Sequence, residues 1–156
     1  MDMKKVCSQY EEATNIFLDI VGSLAIEQLD LSKEGGWSAR QVIHHMADSE
    51  AQSYARLRRL LAEPSGSVIQ GYDEGAWAES ERLGYKDLPI ENSVAVFKAV
   101  RQASLDVLKR VQESDFESYG VHTESGKYTL ENWINSYSKH PVDHGNQVHE
   151  AISKTT

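Results

Sequence analysis

His140 and His144 stand four residues apart in the stretch Lys139-His140-Pro141-Val142-Asp143-His144. Side chains at i and i+4 of a helix are neighbours on one face. Two imidazole nitrogens so placed can meet one ion at about 2.0–2.1 Å each. Burying two unpaired imidazoles side by side is costly, because each carries polar nitrogens that need partners. A shared cation takes one lone pair from each. The alternative is a pair of core histidines satisfied by separate hydrogen bonds, and the spacing alone does not choose between the two. A third ligand is available from His44 or His45. Adjacent helical residues differ by about 100°, so only one of them points squarely at partner helices. His45 lies three residues after Val42 and beside Met46, near an apolar stripe, whereas His44 follows Arg40 and Gln41 on a polar face. Asp48 is within helical reach of either ring and could orient His45 from behind.

Three neutral imidazoles leave an ion's charge uncompensated and a coordination position open. Zn²⁺ with three protein ligands and a water is a hydrolytic arrangement, since the ion lowers the water's pKa toward about 7 and polarises a carbonyl. Imidazole suits Ni²⁺ as well, so Zn and Ni both remain. Asp48, Glu50, Asp143 and Gln147 are polar groups near such a water, with Asp48 and Gln147 the catalytic candidates. Cys7 reads as a small packing residue. Trp37 and Trp133 read as core or staple residues, and His122 and His149 as solvated. No Gly-x-Ser-x-Gly elbow is present, which disfavours serine hydrolase chemistry.

The elements that must position these residues are helical. Val6, Tyr10, Ala13, Phe17, Ile20 and Leu24 recur every three or four residues and predict a helix from about Lys4 to Gln28. Gly35 and Gly36 then break the chain. Ser38 followed by Gln41 is a capping box that opens a second helix, running to just before Pro64. Residues 64–88 form a long connection with room for a short helix from Glu74 to Leu83. Connections of this length are uncommon unless they cover something or cross the bundle. Pro89 suits a first helical turn, and Val94, Phe97, Val100, Ser104, Val107 and Val111 mark a third helix. The polar segment from Asp115 to Tyr128 has room for a small hairpin. Thr129 caps a fourth helix carrying Leu130, Trp133, Ile134, Tyr137, His140, His144, Val148 and Ile152. Pro141 falls inside it, so the helix bends there or a new register begins near His140. The expected fold is all-α: one domain over residues 1–156, an antiparallel four-helix bundle with a long crossover between helices 2 and 3.

Composition narrows the partners. Sixteen Lys and Arg against 24 Asp and Glu leave a net charge of -8, which repels nucleic acid. The basic cluster Arg56, Arg58 and Arg59 reads as the wet edge of a helix. A single cysteine allows no internal disulfide. No apolar stretch approaches the roughly 20 residues of a membrane span, and no leader pattern opens the chain. A cytoplasmic protein is expected, with neither membrane nor nucleic acid as partner.

The run Trp37-Ser38-Ala39-Arg40-Gln41-Val42-Ile43-His44-His45-Met46-Ala47-Asp48-Ser49-Glu50, with the distant His140-Pro141-Val142-Asp143-His144-Gly145-Asn146-Gln147, resembles the DinB/YfiT-like superfamily. The shared features are a Gly-Trp-Ser opening, a histidine seven residues after that serine and a late His-x-x-x-His-x-x-Gln. Tyr72-Asp73-Glu74 with Trp77 is similar to an element in that family's long connection. The resemblance implies His45, His140 and His144 as metal ligands, a homodimer, and a metal-dependent hydrolase acting on a small molecule through a metal-bound water. Leu57, Leu60 and Leu61 offer apolar surface for such a dimer. The resemblance also leaves two other classes open: a metal-dependent transferase or isomerase using a low-molecular-weight thiol, and a noncatalytic, stress-linked metal-binding domain.

Overall fold

A computed structural model describes residues 1–153. Helix α1 spans Met3–Gly22, opened by the Asp2 carboxylate, which accepts from the Lys4 and Lys5 amides. It ends earlier than the apolar stripe suggests. Gly22 weakens the helix, and the Ser23 hydroxyl donates to the Ile20 carbonyl. A 3₁₀ turn over Ile26–Gln28 then brings Leu29 into the core. Helix α2 spans Ala39–Ala62, and its N-terminus is the expected capping box. The Gln41 amide donates to Ser38 Oγ at 3.2 Å, and Gln41 Oε1 accepts from the Ser38 amide at 3.0 Å.

The long connection carries strand β1 (Ser67–Ile69) and helix α3 (Glu74–Glu79), shorter than expected. Helix α4 spans Glu91–Leu108, just after Pro89. The expected hairpin is present as β2 (Tyr119–His122) and β3 (Gly126–Thr129), paired antiparallel. What the sequence did not suggest is that β1 joins β2 in parallel register, Val68 opposite Val121. Gly120 permits that approach, because a Cβ there would lie 2.5 Å from Ile69 Cγ1. The small sheet therefore pins the crossover to the hairpin. The last helical stretch is two helices, α5 (Leu130–Tyr137) and α6 (His140–Ile152). The new register starts at His140, with Pro141 in the first turn, where its missing N–H is tolerated within α6.

Side-chain partners fix the directions of the helices. Glu50 meets Arg101 and His44 meets Ser93, so α2 and α4 run parallel, as the long crossover requires. Thr14 meets Arg101 and Phe17 meets Phe97, so α1 runs antiparallel to α4. Ser53 meets Trp133, and His45 lies against His144, so α5 and α6 run antiparallel to α2. The four-helix bundle therefore has α1 and α5–α6 pointing one way and α2 and α4 the other.

The apolar core falls into two clusters. One gathers Tyr10, Leu57, Leu60, Leu108, Leu130 and Trp133, and the other Phe17, Val42, Ile43, Met46, Phe97 and Val148. Leu57 and Leu60 are buried and Leu61 packs against the first cluster. Leu57 and Leu60 are core and Leu61 is partly covered, so they do not provide the free apolar patch expected to support a dimer. Among the described residues, no helix is long and apolar enough to cross a membrane.

Loss of the α2 cap has a measurable expectation. Ser38→Ala should cost about 1 kcal/mol, which for a domain of this size lowers the melting temperature by about 2–4 °C. An unchanged thermal denaturation midpoint would show that the cap is dispensable.

Candidate metal centre

Helix α2 brings His45 to the bundle interior, and α6 brings His140 and His144 to meet it. One nitrogen of each ring lies within 4.8 Å of the corresponding nitrogens of the other two. An ion about 2.0–2.1 Å from each nitrogen holds them no more than about 4 Å apart. Small side-chain rotations therefore separate the observed arrangement from coordination. The ring centroids of His45 and His144 are 4.7 Å apart and those of His140 and His144 4.6 Å. Because α6 begins at His140, the His140–His144 pair keeps its i,i+4 relation within one helix despite Pro141.

Hydrogen bonds set two of the three rings. His140 Nδ1 lies 3.0 Å from Glu50 Oε1, and His144 Nδ1 lies 2.7 Å from Gln147 Oε1. Both oxygens can only accept, so each Nδ1 carries the proton and each Nε2 keeps its lone pair. Carboxylates and amides in this position orient metal-binding histidines and raise their basicity. His45 is 1% exposed, its Nδ1 is buried without a hydrogen-bond partner, and Trp37 packs edge-on against its ring at 5.1 Å. An orphaned buried nitrogen beside two presented lone pairs is a donor set that fits a divalent transition ion.

Burial first, then the neighbouring histidines, pushes the His45 pKa down to about 3. Burial first, then His140, pushes that of His144 down to about 4, although Gln147 opposes the shift. Both rings are therefore neutral near pH 7, the form in which a lone pair is available to a cation.

The other sequence candidates fall into distinct places. His44, expected on a polar face, is buried between α2 and α4. Its Nδ1 lies 2.8 Å from Ser93 Oγ and its Nε2 3.1 Å from the Leu88 carbonyl. Since a carbonyl only accepts, Nε2 donates and Ser93 donates to Nδ1. Every residue from Gln41 to Ala47 is buried, because α2 is flanked by α4 and α6 and covered by the crossover. Polarity could not mark a wet face on such a segment. Asp48 does not orient His45; it accepts from the Tyr85 hydroxyl at 2.5 Å, on the His44 side of the helix. Asp143 is exposed, and Gln147 is engaged in holding His144.

Glu50 was one of four polar candidates, and no sequence signal marked it as the partner of His140, 90 residues away. It is 1% exposed and also pairs with Arg101, at 3.1 Å. Nothing in the sequence marks Arg101, because an arginine on a mixed helix reads as surface. Cys7 packs against the core, and burial raises its thiol pKa, as expected of a packing residue. His149 is exposed, whereas His122 is buried rather than solvated, its Nδ1 accepting from the Glu124 amide at 3.2 Å. His122 ends strand β2, with its ring 5.7 Å from that of Tyr128 on β3.

The depressed pKa values of His45 and His144 predict an acid sensitivity. Unfolded rings titrate near 6.5, so the unfolded chain takes up protons before the folded one does. The stability these rings contribute is complete above about pH 6.5 and is lost as the pH falls toward about 4 and then about 3. The chelator-treated protein should therefore melt lower at about pH 5 than at about pH 7, and the slope should flatten in a His45→Gln/His144→Gln variant. Equal melting temperatures at the two pH values would contradict the neutral, buried assignment.

Comparison with known proteins finds relatives that align with most of the chain. The family model of the DinB superfamily matches residues 9–148. A protein of Oceanobacillus iheyensis named "putative metal-dependent hydrolase" is 36% identical over 138 residues, which span 88% of this chain and 78% of that one. One of Bacillus mycoides with the same description is 30% identical over 141 residues, spanning 90% of this chain and 79% of that one. The solved structure of YfiT from Bacillus subtilis, described as a probable metal-dependent hydrolase with an unusual four-helix bundle topology, superposes with a TM-score of 0.85. It is 29% identical and aligns with 96% of this chain and 85% of that one. In sequence and in fold, this chain belongs to the DinB superfamily.

Proposed function

We propose that the protein binds one divalent transition ion, Zn²⁺ or Ni²⁺, through His45, His140 and His144, and hydrolyses a small molecule there. The observation that carries this reading is that one nitrogen of each ring lies within 4.8 Å of the other two, while Glu50 and Gln147 hold the Nδ1 atoms of His140 and His144. The names of the relatives support it. Bound there, such an ion would supply Lewis acidity for polarising a carbonyl and for activating water near neutral pH.

The chain's own residues supply the rest. His144, whose pKa is pushed down to about 4, presents an unprotonated Nε2 at neutral pH, and the Glu50 carboxylate holds a proton of His140 on Nδ1, the nitrogen that would not face the ion. The Glu50 carboxylate behind His140 brings negative charge close to the cation through the imidazole. His45 is closed off from solvent, whereas the His140 side chain is 18% exposed, so a substrate would enter from the α6 side.

Metal content tests the ligand set. Protein purified without chelator should carry about one transition ion per chain, and His45→Ala/His140→Ala/His144→Ala none. His45→Ala alone should weaken Zn²⁺ binding by at least about 10–100-fold. His44→Ala should leave affinity nearly intact and instead lower stability by about 1–3 kcal/mol, through its lost buried hydrogen bonds. Wild-type protein that takes up neither Zn²⁺ nor Ni²⁺ would refute the site.

Turnover tests the reaction. Metal-loaded protein should cleave some members of a panel of small esters and amides, and chelator-stripped protein none. Turnover that appears only after a low-molecular-weight thiol is added would replace hydrolysis with thiol transfer. Metal binding that raises the melting temperature with no turnover in any arm would favour a noncatalytic domain.

A further inference from the structure

Arg101 is only 1% exposed, in the middle of α4, where an apolar residue would fill the space at lower cost. Its guanidinium makes four hydrogen bonds. Nε donates to Thr14 Oγ1 at 2.8 Å and one Nη2 hydrogen to the Tyr10 carbonyl at 2.8 Å. Nη1 donates both to Glu50 Oε1 at 3.1 Å and to the Tyr137 carbonyl at 2.8 Å. The guanidinium also lies 3.3 Å from the centre of the Tyr10 ring.

Two of these acceptors lead to the candidate metal centre. In an uninterrupted helix the Tyr137 carbonyl would accept from the amide of residue 141. Residue 141 is proline and has no N–H. The break between α5 and α6, which resets the register so that His140 and His144 share one face, thus leaves a carbonyl without its helical donor. Arg101 supplies that donor. The other Nη1 bond holds Glu50 Oε1, the same atom that accepts from His140 Nδ1 at 3.0 Å. One nitrogen therefore anchors both the backbone three residues before His140 and the carboxylate that aims its ring.

We propose that Arg101 is a positioning residue for the metal centre: it replaces the hydrogen bond that Pro141 cannot make and, through Glu50, fixes the orientation and tautomer of His140. The role rests on the metal-binding reading for its purpose, but its first readout does not need metal. A residue serving only to hold the bundle together would change stability alone. Arg101 acts on the chemistry of one ring.

The experiment compares wild type with Arg101→Met, Arg101→Lys, Glu50→Gln and Leu105→Ala. Leu105 is a buried neighbour on α4 with no part in these hydrogen bonds, so its variant controls for destabilisation. ¹⁵N NMR of the metal-free proteins reads the His140 tautomer, and chelator competition reads Zn²⁺ affinity. Wild type should show His140 protonated at Nδ1, and Leu105→Ala should keep that signature and its affinity while melting lower. Arg101→Met should lose the single tautomer and bind Zn²⁺ about 10–100-fold more weakly. Arg101→Lys, which keeps the charge without the fork, should fall between the two. Should Arg101→Met not fold, Glu50→Gln and Arg101→Lys decide: weaker Zn²⁺ binding in both supports the role, and wild-type affinity in both overturns it. Retention of tautomer and affinity in a folded Arg101→Met overturns it too, as does an equal loss of both in Leu105→Ala. Wild type that binds no Zn²⁺ would refute the metal reading, while the tautomer comparison would still decide what Arg101 does.

Discussion

A guanidinium and a carboxylate removed from water each carry a desolvation penalty of several kcal/mol, offset only by close pairing and by satisfaction of their remaining polar atoms. Arg101 and Glu50 meet that condition at the centre of this bundle, where both side chains are excluded from solvent. The acceptors of Arg101 come from α1, α2 and the end of α5, so four helices must arrive at set positions for the guanidinium to be satisfied. Apolar packing tolerates small shifts of one helix against another. A charged fork with fixed geometry tolerates far less.

This constraint explains why the core is divided. The apolar clusters lie toward the two ends of the bundle, one around Tyr10, Leu57 and Trp133, the other around Phe17, Ile43 and Phe97. Between them runs a belt of buried polar residues that includes Thr14, Glu50, Ser53, Arg101 and Ser104. The histidine cluster adjoins that belt through the Glu50–His140 bond. The crossover serves the same arrangement. It returns α4 parallel to α2, which sets Arg101 beside Glu50 and Ser93 beside His44, and its Tyr85 takes the Asp48 carboxylate.

The division of labour among the histidines follows from their surroundings rather than from their order in the chain. His44 has a partner for each nitrogen and behaves as a packing residue. Its neighbour His45 has a buried Nδ1 without one and sits against two rings whose Nδ1 atoms are already committed. A buried imidazole nitrogen left without a partner among clustered rings is costly in the absence of a cation. That physical tension makes the cluster a candidate metal centre rather than a set of buried histidines.

Much of this was legible in the residues. The Ser38–Gln41 capping box, the apolar stripes of α1 and α5, Thr129 as a cap and the i,i+4 pair His140–His144 are local patterns, governed by backbone geometry within a few residues. Local chemistry also allowed a fresh helical start at His140, since a proline is tolerated only near a helix N-terminus. It could not say which of His44 and His45 faces α6, because α2 is buried on every side there and polarity no longer reports exposure. Nor could it foresee the parallel pairing of β1 with β2, the capture of Asp48 by Tyr85, or the burial of Leu57 and Leu60. Each depends on segments that meet only after the crossover has folded back. Arg101 is the clearest case. Its sequence neighbours are those of an ordinary surface arginine, and its role exists only where Tyr10, Thr14, Glu50 and Tyr137 converge. Sequence determined the elements and supplied the histidines; tertiary packing decided which polar groups lost water, and therefore which of them had to pair.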